Sequence, residues 1–225
     1  TLKTSQRNFS IMLANHLNLQ QKNSRQTELT VDRILNGIKK NKNKALLNFI
    51  KRFDNTVYKR ISDSLVSKSE ITSAYSQVTK NTLNDLKKAI SNIKKFSKKQ
   101  ILKSWSINVK GSKIGERVTP LKNVGIYVPG GKASYPSTVL MNAIPAKVAG
   151  VDNVVMVCPP TDKKLNPLVL VAADLCNVNE IYKFGGAHAI GALAYGTETI
   201  KQVDKIVGPG NIYVATAKKK VFGTV

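Results

Sequence analysis

The chain has no long apolar run, only two cysteines, and aromatic side chains at 6% of its 225 residues. None of the apolar runs approaches the ~20 residues that a membrane-spanning helix needs, so the sequence excludes a membrane protein. Cys158 and Cys176 are too few for a disulfide framework or for a cysteine zinc site. The first residues also lack the apolar core of a secretory signal. We therefore expect a cytoplasmic protein in a reducing environment.

Acidic side chains are scarce, and the net charge is +23 because the chain has 36 Lys and Arg but only 13 Asp and Glu. Residues 1–120 hold 25 of the basic side chains and 7 of the acidic ones. Such a charge is one signature of nucleic-acid binding. Thirty of the basic residues are Lys, however, whereas Arg is the preferred reader of bases. The pattern favours solvated lysine faces over a nucleic-acid interface.

Glycine is almost missing from the first half, where only 3 of the 14 glycines occur. Apolar residues recur there at three- and four-residue steps, which predicts helices over Leu29–Phe53 and Glu70–Ile101. Thr30 or Asp32 is the expected N-cap of the first helix. Alternation predicts a short strand, and a polar connection follows it; these segments are Trp105–Val109 and Lys110–Pro120.

The second half changes to short apolar segments that alternate with helical stretches and glycine-bearing turns. This βαβα pattern predicts a parallel sheet covered by helices on both faces. The predicted strands are Val124–Val128, Asn153–Cys158, Glu180–Tyr182 and Lys205–Val207. The predicted helices are Ser137–Val148, Asn166–Cys176, Ala187–Tyr195 and Ile212–Val221.

Three glycine-bearing turns each join a predicted strand to a predicted helix, at 127–135, 184–187 and 207–211. Right-handed crossovers place such turns together at the carboxyl edge of a parallel sheet. Backbone N–H groups at helix N-termini favour a phosphate or a carboxylate there. None of the turns has a dinucleotide or P-loop fingerprint, and each alone fits an ordinary βα turn. Together they predict a crevice of nucleotide size.

Several polar side chains near these turns have two interpretations. His188, in the first turn of a helix, fits a neutral imidazole that hydrogen-bonds a ligand or a polar residue at a helix start. Asn211 fits a helix cap or an amide donor to a ligand. Cys158 has no adjacent base that would make it a nucleophile, and Cys176 fits the core. His16 fits a surface or packing residue.

The segments VGIYVPGGKASYPSTVLMNAIPAKVAGV, GGAHAIGALAYGTETI and VDKIVGPGNIYVATAKKKV follow one another between Pro120 and Val225. In content and order they resemble histidinol dehydrogenase. The resemblance implies an α/β chain with a mostly helical region over residues 1–119. An incomplete Rossmann-like, NAD-binding parallel-sheet region over residues 120–225 then follows.

The resemblance also implies an activity, which is oxidation of L-histidinol to L-histidine through the aldehyde. Members of this family use two NAD molecules and a zinc ion, and they work as homodimers. Tyr127, His188 and Asn211 are expected at the NAD site, although the family usually has glutamine at position 188. The zinc ligands and the catalytic residues are expected beyond Val225. We therefore expect the chain to be an incomplete and inactive portion of the enzyme.

Two other classes of function remain open from the sequence. One is a non-catalytic basic protein that binds nucleotides or nucleic acid through the lysine-rich helices and the glycine crevice. Its affinity for nucleic acid would fall steeply with salt and would not respond to NAD. The other is a dimerising remnant of the enzyme that binds neither zinc nor NAD.

Overall fold

The computed structural model describes residues 3–130 and 135–225, except for the side chains of residues 15–24. Within this part of the chain lie seven α-helices and six strands. The helices are α1 Phe9–Phe53, α2 Lys68–Ser76, α3 Lys80–Lys98, α4 Pro136–Val148, α5 Pro167–Leu175, α6 Gly186–Tyr195 and α7 Ile212–Val221. The strands are β1 Trp105–Val109, β2 Ser112–Glu116, β3 Asn123–Tyr127, β4 Asn153–Val157, β5 Glu180–Tyr182 and β6 Lys205–Val207.

Four strands form the parallel sheet that the sequence predicts, in the order β5-β4-β3-β6. Side chains alternate between the two faces of a strand, and both faces of this sheet are buried. Val154 and Met156 of β4 therefore join one hydrophobic core, whereas Val155 and Val157 join the other. The α/β fold class is confirmed.

Helices cover both faces of the sheet in two layers. On one face α4 and α5 pack against the strands, with α3 outside α4 and α2 outside α5. On the other face lie α6 and α7, with α1 packed across both of them. The helices of the first half thus complete the two cores of the second. The division of the chain at residue 119 stays a prediction.

Helix α1 begins at Phe9, well before the predicted start at Leu29. Thr30 lies inside the helix, where its hydroxyl donates to the carbonyl of Gln26 at 2.9 Å. The prediction of an N-cap at Thr30 or Asp32 is therefore wrong. No glycine or proline interrupts residues 9–30, so the helix continues through the polar segment that precedes its apolar face.

The helix predicted over Glu70–Ile101 is wrong as a single element, because α2 and α3 are separate helices. Ser67 and Glu70 form a reciprocal capping box at the start of α2, at 2.9 and 3.2 Å. Thr79 caps α3 by accepting from the N–H of Thr82 at 3.2 Å. Local caps thus begin a new helix although the apolar period continues across the break.

The predicted strand Trp105–Val109 is confirmed, but the polar connection predicted over Lys110–Pro120 contains a second strand. β2 pairs antiparallel with β1, and all ten residues of the two strands are exposed. Lys110 and Gly111 form the turn with φ of 46° and 81°, the left-handed pair that two-residue hairpins favour. Ile114 is the one large apolar residue of β2, so alternation gave no signal.

The other predicted strands and helices are confirmed to within one residue at each end. In addition, a short 3₁₀ helix at Ile61–Ser64 leads into Leu65, which forms an antiparallel bridge with Tyr182 at the edge of the sheet. No helix in the described part of the chain is long and apolar enough to cross a membrane.

Candidate functional site

The carboxyl edge of the sheet has a switch point beside β3. The chain continues from β3 to β4 and β5 on one side, whereas β6 pairs with β3 on the other. Open α/β sheets bind ligands at such a point. A cavity of about 370 Å³ lies there. It is lined by Thr30, Ile34, Phe53, Asp54, Tyr127, Pro159, Gly186, Ala187, His188, Asn211 and Tyr213.

The cavity brings together the three residues that the sequence assigns to a ligand site. Tyr127 ends β3, His188 lies in the first turn of α6, and Asn211 precedes α7. The prediction that the three turns meet at one edge of the sheet is thus confirmed. Residues 131–134, which belong to the first of these turns, lie outside the described residues.

Glycines allow the turns to approach one another at this edge. Gly208 has φ of 103°, and a Cβ there would collide with the carbonyl oxygen of Tyr127. A Cβ at Gly130 would collide in the same way with the carbonyl oxygen of Pro159. Larger residues at either position would therefore push two turns apart.

Tyr127 links two of the turns through its buried side chain. Its hydroxyl accepts a hydrogen bond from the backbone N–H of Gly186 at 3.1 Å. Burial is the main cause that raises the pKa of Tyr127 to about 12. The hydrogen bond from Gly186 lowers this pKa, whereas Cys158 and Asp54 raise it by smaller amounts. The hydroxyl therefore keeps its proton at neutral pH and can donate it to a ligand.

The structure confirms one of the two interpretations of Asn211, which is that it caps a helix. Its side-chain oxygen accepts from the N–H groups of Tyr213 and Val214, both at 3.1 Å, so it is the N-cap of α7. The amide nitrogen makes no hydrogen bond within the described part of the chain, and the residue is exposed. The same side chain can thus cap the helix and donate to a ligand.

His188 is almost completely buried, with 1% of its surface exposed. Its Nε2 lies 2.9 Å from a carboxylate oxygen of Asp54. The ring stacks on Phe53 and Phe184 at centroid distances of 5.9 and 6.2 Å, with Phe49 at 6.5 Å. Nδ1 is buried and has no hydrogen-bond partner among the described residues.

Asp54 is the acidic residue that lines the cavity, and it is not among the residues that the sequence assigns to a ligand site. It follows the last residue of α1, and its side chain is 9% exposed beside His188. One signal was available, since Asp54 is the only acidic residue between Asp32 and Asp63 in a strongly basic segment. Its place in the cavity depends on the packing of α1 across α6, which local sequence does not encode.

Neither cysteine lines the cavity. Cys158 and Cys176 are buried free thiols, and burial raises the pKa of each to about 12. Cys176 belongs to the core, as predicted, and no described basic group hydrogen-bonds Cys158. The side chain of His16 lies outside the described residues.

Within residues 3–130 and 135–225, the described His, Cys, Asp and Glu side chains form no group of three or more that could hold a metal ion. The described residues therefore offer no donor set for the zinc ion that the resemblance implies. Zinc ligands beyond Val225 stay a prediction.

Comparison with known proteins gives the family. A family model described as histidinol dehydrogenase matches residues 17–225. The chain belongs to the histidinol dehydrogenase family. A histidinol dehydrogenase from Clostridium acetobutylicum is 52% identical over 198 residues, which are 87% of this chain and 45% of that protein. A histidinol dehydrogenase from Nitrosospira multiformis is 44% identical over 225 residues, which are 100% of this chain and 51% of that protein.

A solved structure agrees with the fold of this histidinol dehydrogenase family member. The crystal structure of histidinol dehydrogenase from Elizabethkingia anophelis matches with a TM-score of 0.81 and 41% identity. The match covers 87% of this chain and 45% of that chain. The chain thus spans about half the length of the curated relatives and of the solved structure that it matches.

Proposed function

We propose that this chain supplies the NAD-binding part of an enzyme that oxidises L-histidinol to L-histidine through the aldehyde. The observation that carries the proposal is the cavity at the switch point, where Tyr127 and Asn211 present donors to one space. Membership of the histidinol dehydrogenase family supports the reaction and the substrate. Bound NAD would supply the hydride acceptor for both oxidation steps.

The residues of the cavity suit a dinucleotide in their chemistry. Tyr127 offers a protonated phenol, and Asn211 offers an amide nitrogen with no hydrogen bond to the described residues. Phe53, Pro159 and Tyr213 add flat or apolar surface against which a base or a nicotinamide ring can pack. Tyr127 and Asn211 would then bind and orient the cofactor.

The test of this proposal is the affinity for NAD, measured by isothermal titration calorimetry. We expect Tyr127→Phe and Asn211→Ala each to weaken binding about 2- to 10-fold, since a lost hydrogen bond costs roughly 0.5–1.5 kcal/mol and ~1.4 kcal/mol is tenfold. Asp85→Asn, on the exposed side of α3, is the matched control and should leave the affinity unchanged. Unchanged binding by both cavity variants would contradict the assignment.

We also propose that the isolated 225-residue chain does not turn over histidinol. The described residues present no metal-ligand cluster at the cavity, and the base of the family's reaction is expected beyond Val225. The measurement is NADH absorbance after addition of histidinol to the pure chain. NADH formation that depends on histidinol would overturn this proposal.

The quaternary state that we propose is a homodimer, as in the family. Large apolar side chains exposed on the β1–β2 hairpin support association, because an isolated two-stranded hairpin has little stability of its own. They are Trp105, Ile107, Val109 and Ile114. A monomer mass by light scattering at micromolar concentration would contradict the dimer. The cytoplasmic location stays a prediction.

A further inference from the structure

Asp54 is the one acidic side chain among the described residues that line the cavity. Its Oδ2 is engaged by His188 Nε2 at 2.9 Å and lies 3.5 Å from the backbone N–H of Gly185. Its other carboxylate oxygen, Oδ1, makes no hydrogen bond within the described part of the chain. A carboxylate accepts hydrogen bonds through both oxygens, so Oδ1 of Asp54 remains able to accept a hydrogen bond from a ligand.

His188 has no free nitrogen with which to hydrogen-bond a ligand in this arrangement. Nε2 is directed to Asp54, and Nδ1 is buried with no partner among the described residues. The rings of Phe53 and Phe184 stack on the imidazole and leave 1% of the residue exposed. A ligand in the cavity therefore meets no free polar nitrogen of His188.

A carboxylate with so little exposure needs a partner to offset its lost hydration. A proton on Nε2 of His188 supplies a charge-assisted hydrogen bond and fixes the orientation of the carboxylate. The stacked phenylalanines in turn fix the imidazole ring. The pair joins the end of α1 to the start of α6 at the wall of the cavity.

We propose that Asp54, held in place by His188, accepts a hydrogen bond from a hydroxyl group of the nucleotide that binds in this cavity. His188 is then a positioning residue, and the polar contact that the resemblance predicts at position 188 belongs to Asp54. An acidic side chain that accepts from a ribose hydroxyl is a general device of dinucleotide sites. Here it comes from the residue that follows α1, outside the parallel-sheet region. This inference rests on the proposed function, because it takes NAD as the ligand.

The direct test is a double-mutant cycle on NAD affinity, measured by calorimetry. Asp54→Asn still accepts from His188 through its one oxygen but turns an amide nitrogen toward the cavity, so it loses the acceptor. His188→Phe keeps an aromatic ring but removes the imidazole that donates to Asp54. We expect each variant to weaken NAD binding about 10- to 100-fold, since a hydrogen bond to a charged group contributes roughly 1.5–3 kcal/mol.

The losses of NAD affinity that the two substitutions cause should not add, because both substitutions remove the same contact. The double variant should bind NAD no more weakly than the weaker single variant. His188→Gln should stay within about 3-fold of the unsubstituted protein, since its amide can donate to Asp54. Additive losses would show that His188 contacts NAD by itself and would overturn the proposal. Unchanged affinity in Asp54→Asn would overturn it as well.

A second readout does not depend on NAD. The chain has only two histidines, so ¹⁵N labelling of histidine gives signals from two imidazole rings, and His188→Gln identifies those of His188. We expect a proton on Nε2 of His188. A proton on Nδ1 alone would overturn the pairing with Asp54. If the unsubstituted protein fails to bind NAD, the proposed function fails with this inference; if it binds NAD and the cycle is flat, only this inference fails.

Discussion

At the scale of single residues, the site combines groups that local sequence reveals with one that it does not. Tyr127 and Asn211 stand beside glycine turns at strand ends, where a sequence predicts ligand contacts. The burial of His188 and its pairing with Asp54 bring together two residues that are 134 positions apart in the sequence. No periodicity or turn signal encodes such a contact, so the residues alone leave open whether the imidazole meets a ligand, and only the resemblance implies that it contacts NAD.

The two thiols give a residue-scale prediction about reactivity. Burial raises the pKa of Cys158 and Cys176 to about 12, so both remain neutral thiols at pH 8 in the folded protein. The thiolate is the reactive form. We expect a thiol reagent such as Ellman's reagent to label neither cysteine at pH 8 until urea unfolds the chain, and then to label both. Rapid labelling of the native protein would contradict this burial.

At the scale of elements, apolar strands bounded by glycine and proline were easy to predict, and helix ends were not. Each core strand is a short run of buried residues, so composition alone indicates it. The break between α2 and α3 is decided by the cap at Thr79, while the apolar period continues past it. The start of α1 is harder to predict because a polar run over residues 20–28 separates the apolar residues of its first turns from the apolar face that begins at Leu29.

The bend in α1 is an element-scale feature with a measurable consequence. Lys42 adopts φ of 45° inside the helix, and its ammonium donates to the carbonyls of Tyr195 and Gly196 at 2.9 and 3.1 Å. These carbonyls stand at the C-terminus of α6, where a cation is favourable.

We expect Lys42→Ala to lower the free energy of unfolding in urea by about 1–2 kcal/mol, because both carbonyls lose their charged donor while the backbone strain remains. Lys44→Ala, at an exposed position two residues later, is the matched control and should change stability by less than ~0.5 kcal/mol. Equal effects of the two substitutions would contradict the role given to Lys42.

At the scale of the whole molecule, the lysine-rich helices of the first half contribute to the hydrophobic cores on both faces of the sheet. α1 contributes Val31, Ile38 and Leu46 to the core beneath α6, and Leu86 of α3 joins the core on the opposite face. The packing of α1 also carries Phe53 and Asp54 to the cavity at the carboxyl edge. The candidate site is thus built jointly by the first and second halves of the chain.

The most direct test of NAD binding at the switch-point cavity is to map the binding on the protein by ¹H–¹⁵N chemical shifts. We expect NAD to shift the backbone amide signals of Gly186, His188, Asn211 and Tyr213, which surround the switch-point cavity, and to leave those of the β1–β2 hairpin unchanged. Absence of any shift at the cavity, or shifts confined to another surface, would contradict the claim that this edge of the sheet binds the dinucleotide.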